Sequence, residues 1–252
     1  MSNKLNNAAK EAQKMKEQKK QQQIKVGIGI VVCLVAVAAI LLGNGLKNGF
    51  FTSGSTTQKE ELSGAAGNAA QSGVADADDV KLLEENKTYY ADIEIQDYGT
   101  ITIQLDQKAA PVSAANFVSL AENGFYDGLT FHRIIKGFMM QGGDPNGNGT
   151  GGSSQKIVGE FSENGHDNPL PHTRGVVSMA RSSAYNSASS QFFIMHQDSK
   201  SLDGKYAAFG YVTEGIEVVD KVCEAAKPTD KNGTIPAEQQ PVITSITIRT
   251  GE

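Results

Sequence analysis

Cysteine is scarce in this chain. The two that occur in 252 residues, Cys33 and Cys223, lie in segments of different kinds, so no structural disulfide is expected between them. That leaves the redox compartment open, because a domain with its own core can be exported without a disulfide. A basic main body is also missing. Residues 1–25 hold seven lysines against Glu11 and Glu17, a balance of +5 in a chain of net charge −5, so the remainder carries −10. Nucleic-acid binding needs a basic face, and this body argues against it. Serines crowd Arg181 to Ser190, yet no G-x-S-x-G elbow frames one, which argues against acyl transfer. His132, His166, His172 and His196 have no spacing that would bring three to one metal. Gly147 to Gly152 matches G-x-G-x-x-G, but it follows Pro145 in a loop and opens no helix, so it is not read as a dinucleotide site. The calcium-loop imitation starting at Asp144 has Gln155 at its twelfth position and no flanking helices. Neither a metal nor a cofactor is expected.

One long apolar run is present. Val26 to Leu42 has no charge or strong polar group over seventeen residues, roughly 26 Å of helix, and continuing to Leu46 gives about 32 Å against a hydrocarbon core of about 30 Å. Residues 26–46 therefore read as a transmembrane helix. A buried core helix and a cleaved signal peptide are the alternatives. Against cleavage, the leader is long for an n-region and no A-x-A-like site follows the run. The Lys-rich leader, residues 1–25, is placed in the cytoplasm, which sends everything after the span outside it. Residues 47–87, rich in Gly, Ser, Asn, Ala and acidic side chains, cannot bury enough apolar surface to order themselves and read as a flexible linker. Its root-mean-square span would be roughly 35 to 40 Å.

Organised structure is expected over 88–252. Ala91 to Leu105 alternates apolar and polar residues on both sides of Asp97-Tyr98-Gly99, which predicts a hairpin with one buried face. Pro111 to Asn123 switches to helical spacing, with proline near its start and Gly124 past its end. Short runs follow at Lys156 to Phe161, Gly175 to Ala180, Gln191 to Met195 and Ala207 to Tyr211. A second helix is predicted over Ile216 to Ala226, and Val242 to Ile248 alternates again. Many short strands and two helices predict a closed β-barrel, since closure removes exposed edges.

The stretch from Phe131 to Asp144, FHRIIKGFMMQGGD, sets Arg133 and Gln141 among Phe131, Ile134, Ile135, Phe138, Met139 and Met140. A guanidinium beside an apolar floor can hold an uncharged group and polarise it, because a low local dielectric strengthens its hydrogen bonds. Alternatively, this is a buried strand pair in which Arg133 only snorkels to water.

Together with GEF, RGVVSMAR, SQFFI and LDGKYAAFG, in this order and spacing, the segment NFVSLAENGFYDGLTFHRIIKGFMMQGGDPNGNGTGG resembles the cyclophilin family of peptidyl-prolyl cis-trans isomerases. The resemblance runs from about Tyr90 to Arg249. It implies a mainly β fold, an eight-stranded antiparallel barrel capped by two α-helices, with the active site on its outer face. It also implies catalysis by Arg133, with Gln141 orienting it and bonding substrate backbone. Phe138, Met139, Phe193 and Leu202 would form the proline pocket, with Gln191 beside it. Ala180 and Arg181 match the strip that pairs with the residue before the substrate proline. Arg181 stands where many members have Asn, Tyr206 where well-studied eukaryotic members have His, and Ser201 where they have Trp. Tyr206 still offers a hydroxyl donor. The missing indole leaves cyclosporin binding open. The implied partners are proline-containing unfolded or exported polypeptides, and the long linker without a second motif points to a monomer. A non-catalytic holdase using the same groove is the alternative function.

Overall fold

The structure, a computed structural model, describes residues 74–251. The basic leader, the apolar run and most of the linker lie outside the described residues. Among the described residues, no helix is long and apolar enough to cross a membrane.

Among the described residues, ten strands and two α-helices follow one another: β1 (Val74–Ala75), β2 (Thr88–Ile95), β3 (Gly99–Leu105), α1 (Pro111–Glu122), β4 (Phe131–Ile135), β5 (Met139–Gly142), β6 (Lys156–Ile157), β7 (Val176–Met179), β8 (Phe192–Met195), β9 (Ala208–Glu214), α2 (Ile216–Ala225) and β10 (Ile243–Gly251). Eight of the strands form one antiparallel sheet in the order β10-β2-β3-β9-β7-β8-β5-β4. The hairpin expected over Ala91 to Leu105 is β2–β3, turning at Asp97, whose φ is 66°.

The closed barrel expected from the sequence is a curled half-barrel. Edge strands β4 and β10 meet through the single bridge Thr130–Val242 and not through a ladder. The reason is that another segment takes the β4 edge beyond that bridge. The rest of the β4 edge is covered by the segment 233–235. Ile134 N–H donates to Gly233 O at 2.8 Å and Ile235 N–H to His132 O at 3.0 Å. An edge so covered has no free ladder for another chain.

Helix α1 begins at Pro111, whose missing N–H costs nothing there. Its first free N–H groups find a partner far along the chain. Glu160, 1% exposed, accepts from Val112 N–H at 2.8 Å, Ser113 N–H at 2.7 Å and the Ser113 hydroxyl at 2.6 Å. A carboxylate at a helix N-terminus is favoured by the dipole as well as by these bonds. Inside the half-barrel, Phe117 contacts Tyr126, Phe192 and Phe209 at ring-centre distances of 5.2 to 5.3 Å. Helix α2 buries Val218, Val219, Val222 and Cys223.

The folded body begins earlier than the expected boundary at Thr88. Val74 and Ala75 pair in parallel with Lys156 and Ile157, Ala75 is buried, and Val80 and Leu83 pack on the core. Residues 74–87, assigned to the flexible linker, are therefore part of the folded structure. The polar composition hid a strand of only two residues.

Candidate active site

Alternation along the strands sorts two layers. Ile134, Met140, Ile194 and Val177 face one another across β4, β5, β8 and β7 and are fully buried. Their sequence neighbours Arg133, Gln141, Phe193 and Ser178 occupy the same register on the opposite, outer face. A second, smaller apolar cluster forms there from Met139, Val176, Phe193, Met195 and Ala208, with Phe138, Ala180, Leu202 and Tyr206 packed on it. Period two thus puts a cation and an amide on an apolar outer surface.

That surface is concave. A cavity of about 270 Å³ is lined by Arg133, Phe138, Met139, Gln141, Ala180, Arg181, Phe193, Leu202 and Tyr206. Gln191 lines a neighbouring cavity of about 390 Å³, which shares Gln141, Ala180 and Arg181 with the first. All ten residues singled out in the sequence therefore line one or other of these two adjoining cavities. Ser201 is exposed on the short turn Lys200–Leu202.

Arg133 is half-buried, and burial lowers its pKa from the ordinary guanidinium value. Its Nε donates to Asn232 O at 2.7 Å and its Nη1 to Gln141 Oε1 at 3.2 Å, with Met139 Sδ at 3.8 Å. These partners are a carbonyl, an amide oxygen and a thioether; among the described residues no carboxylate forms an ion pair with Arg133, and Asp230 acts on its charge only from a longer distance. Gln141 Nε2 in turn donates to Gln191 Oε1 at 2.9 Å, and Gln191 Nε2 to Gly151 O at 2.7 Å. The chain of amides fixes which end of Gln141 faces the cation.

Sequence reasoning missed Asn232. Its carbonyl is aimed by a turn in which Asp230 accepts N–H bonds from Asn232 at 3.0 Å and Thr234 at 3.1 Å. The D-x-N-G-T spelling of that turn was a readable signal; its distance of 99 residues from Arg133 was not. His172 was also missed. It is buried behind the pocket, stacked on Phe193 at 6.0 Å and edge-on to Tyr206 at 6.5 Å, with Asp203 and Ser178 on its two nitrogens at 3.0 and 3.1 Å.

His132 differs from His166, His172 and His196, each of which has a hydrogen-bond partner. It is buried, and neither ring nitrogen has a hydrogen-bond partner. The loop that imitates a calcium site closes on itself instead. Asp144 accepts N–H bonds from Asn146, Asn148 and Gly149 at 2.6 to 3.1 Å. Gly143 opens this loop at φ 80°, where a Cβ would meet Ser190 O at 2.6 Å, so only glycine fits. Among the described residues, no group of three or more His, Cys, Asp or Glu is placed to hold a metal ion.

The outer groove of the half-barrel thus combines a fixed cation, an amide relay and an apolar slot. Residues 90–248 match the family model described as cyclophilin type peptidyl-prolyl cis-trans isomerase, and the chain belongs to that enzyme family. A peptidyl-prolyl cis-trans isomerase of Helicobacter pylori strain J99 is 44% identical over 146 residues, 57% of this chain and 86% of that protein. Peptidyl-prolyl cis-trans isomerase B of Bacillus subtilis strain 168 is 46% identical over 123 residues, 49% of this chain and 82% of that one. The crystal structure of a cyclophilin-type isomerase from Cryptosporidium parvum, obtained in the presence of the dipeptide Ala-Pro, superposes with a TM-score of 0.57 at 31% identity. It covers 64% of this chain and 99% of the other.

Proposed function

We propose that this chain accelerates rotation about Xaa-Pro bonds in exported polypeptides from a membrane anchor, with Arg133 stabilising the twisted amide. The observation that carries the reading is the position of Arg133 at the rim of an apolar slot, held by Gln141 and Asn232 and without a carboxylate ion-pair partner among the described residues. The planar amide resists rotation by about 18 to 20 kcal/mol because the nitrogen lone pair is delocalised into the carbonyl. Twisting localises that pair. A donor over the prolyl nitrogen then binds the twisted state better than either planar one, and this differential binding lowers the barrier. A contribution of about 4 kcal/mol is worth roughly a thousandfold in rate.

The remaining residues take roles that follow from where they lie. Phe138, Met139, Phe193 and Leu202 hold the proline ring, while Gln141 keeps the guanidinium oriented and bonds substrate backbone. Ala180 and Arg181 offer the strip along which the peptide lies, and Gln191 and Tyr206 complete its walls. The groove itself performs the reaction; neither a metal nor a redox group takes part in the steps described. The apolar run over 26–46 and the Lys-rich leader support a single-pass anchor with its N-terminus in the cytoplasm and the isomerase domain outside the cytoplasmic membrane. The test is exchange NMR on an Ala-Pro-containing peptide. Catalytic amounts of the chain should broaden and merge the cis and trans resonances. A chain that binds the peptide yet leaves the exchange rate unchanged would be a holdase instead.

A further inference from the structure

Next to the proline slot lies the larger cavity of about 390 Å³, and its charge is out of keeping with the body around it. Lys156 and Arg181 line it, and no Asp or Glu does. Neither cation takes part in an ion pair among the described residues. Two acids close to its walls are engaged elsewhere: Asp144 takes backbone N–H groups behind the loop, and Glu163 accepts from the Tyr185 hydroxyl at 3.1 Å. An unneutralised cationic pocket in a chain whose residues beyond the leader carry −10 is a feature that needs a use.

Arg181 is also held unusually firmly. Its guanidinium lies over three rings, Tyr206 at 4.7 Å, Phe161 at 5.0 Å and Tyr185 at 5.1 Å. Its intramolecular bonds use Nε, to Lys205 O at 2.9 Å, and Nη1, to Ser182 O at 3.0 Å. Those acceptors are neutral, so orientation is fixed while the charge stays available, and Nη2 is left to bond a ligand. Lys156 is exposed on β6, which is pinned on one side by Val74–Ala75 and on the other by the Ile157–Ala188 bridge. Both cations therefore stand on fixed backbone.

We propose that this pocket selects substrates with a carboxylate side chain within three residues of the isomerised bond, received by Arg181 and Lys156. The inference rests on the isomerase reading and adds to it a chemical class of substrate. Two partly exposed ion pairs amount to about a three- to tenfold preference.

The test uses the full chain and tetrapeptide-to-hexapeptide series around one Xaa-Pro bond, with Glu, Gln or Lys placed in turn at each of the three positions on either side. At one position the ratio of kcat/KM for Glu over Gln should reach about three to ten. Lys at that position should fall below Gln. The ratio should shrink toward one at 1 M salt, where charges are screened beyond about 3 Å, and in the Lys156→Gln variant. Because each ratio is taken within one protein, a general loss of activity does not mimic the effect. Equal turnover of Glu and Gln peptides at every position, or a preference untouched by salt and by Lys156→Gln, overturns the acid-selecting pocket alone. Absence of turnover for any peptide overturns the isomerase reading and this inference together.

Discussion

Gln141 stands directly across the β4–β5 ladder from Arg133, and its Oε1 lies 3.2 Å from the arginine Nη1. Because Gln141 Nε2 is engaged by Gln191, the acceptor end is turned toward the cation before any substrate arrives. Gln141→Leu should therefore lower kcat/KM by about ten- to a hundredfold through misplacement of the guanidinium, with little change in thermal midpoint. Gln141→Glu separates positioning from packing. It keeps an acceptor but sets a carboxylate against the cation, so its activity should recover as the pH falls and the new carboxyl protonates. A flat pH profile for that variant would contradict the role.

Glu160 supports the fold without entering the groove. Glu160→Ala leaves the buried N–H groups of Val112 and Ser113 and the Ser113 hydroxyl without their acceptor. The expected cost is about 2 to 3 kcal/mol, read as a lower urea midpoint. Activity per folded molecule should stay at the wild-type value.

Acid should destabilise the folded domain through two imidazoles. Burial holds His132 and His172 below the usual histidine value, against the opposing pull of Asp144 and Asp203 respectively. In the unfolded chain both take up a proton near pH 6.5. Below that pH the unfolded state binds more protons than the folded one, so stability is full above about 6.5 and drains as the pH falls toward the depressed folded values. The slope is at most about 1.4 kcal/mol per pH unit for each ring. Urea unfolding at pH 7.5 and 5.5 should show the loss. His132→Phe should reduce it without a penalty at pH 7.5, since neither ring nitrogen has a partner to abandon.

Much of this was legible because local periodicity and the buried face agree. Ile93, Ile95, Ile101 and Ile103 alternate in sequence and are buried in the sheet, and helix spacing over Pro111 to Asn123 matches α1 to within one residue. The positions of Arg133, Gln141 and Phe193 on one outer face follow from period two once their strands are paired. What could not be read is long-range. Nothing local tells that Glu160 reaches α1, that Asn232 seats Arg133, or that the segment 233–235 takes the β4 edge and leaves the barrel half closed. The strand at Val74 was hidden because a two-residue parallel pairing has no period of its own.

The proposed anchor predicts where the chain is found. Expressed whole, it should sediment with membranes, resist extraction by salt, and be released by detergent with an intact mass that includes residues 1–46. A soluble product that starts beyond Leu46 would replace the anchored reading with that of an exported, cleaved isomerase.

The central claim is that an uncompensated guanidinium stabilises the twisted amide, and Arg133→Ala tests it most directly in a refolding reaction limited by proline isomerisation, a step of about 10 to 100 s without catalysis. The variant should keep the wild-type circular dichroism and urea midpoint while losing most of the acceleration, on the order of a hundredfold or more. Acceleration at the wild-type level by a correctly folded Arg133→Ala chain would contradict the account.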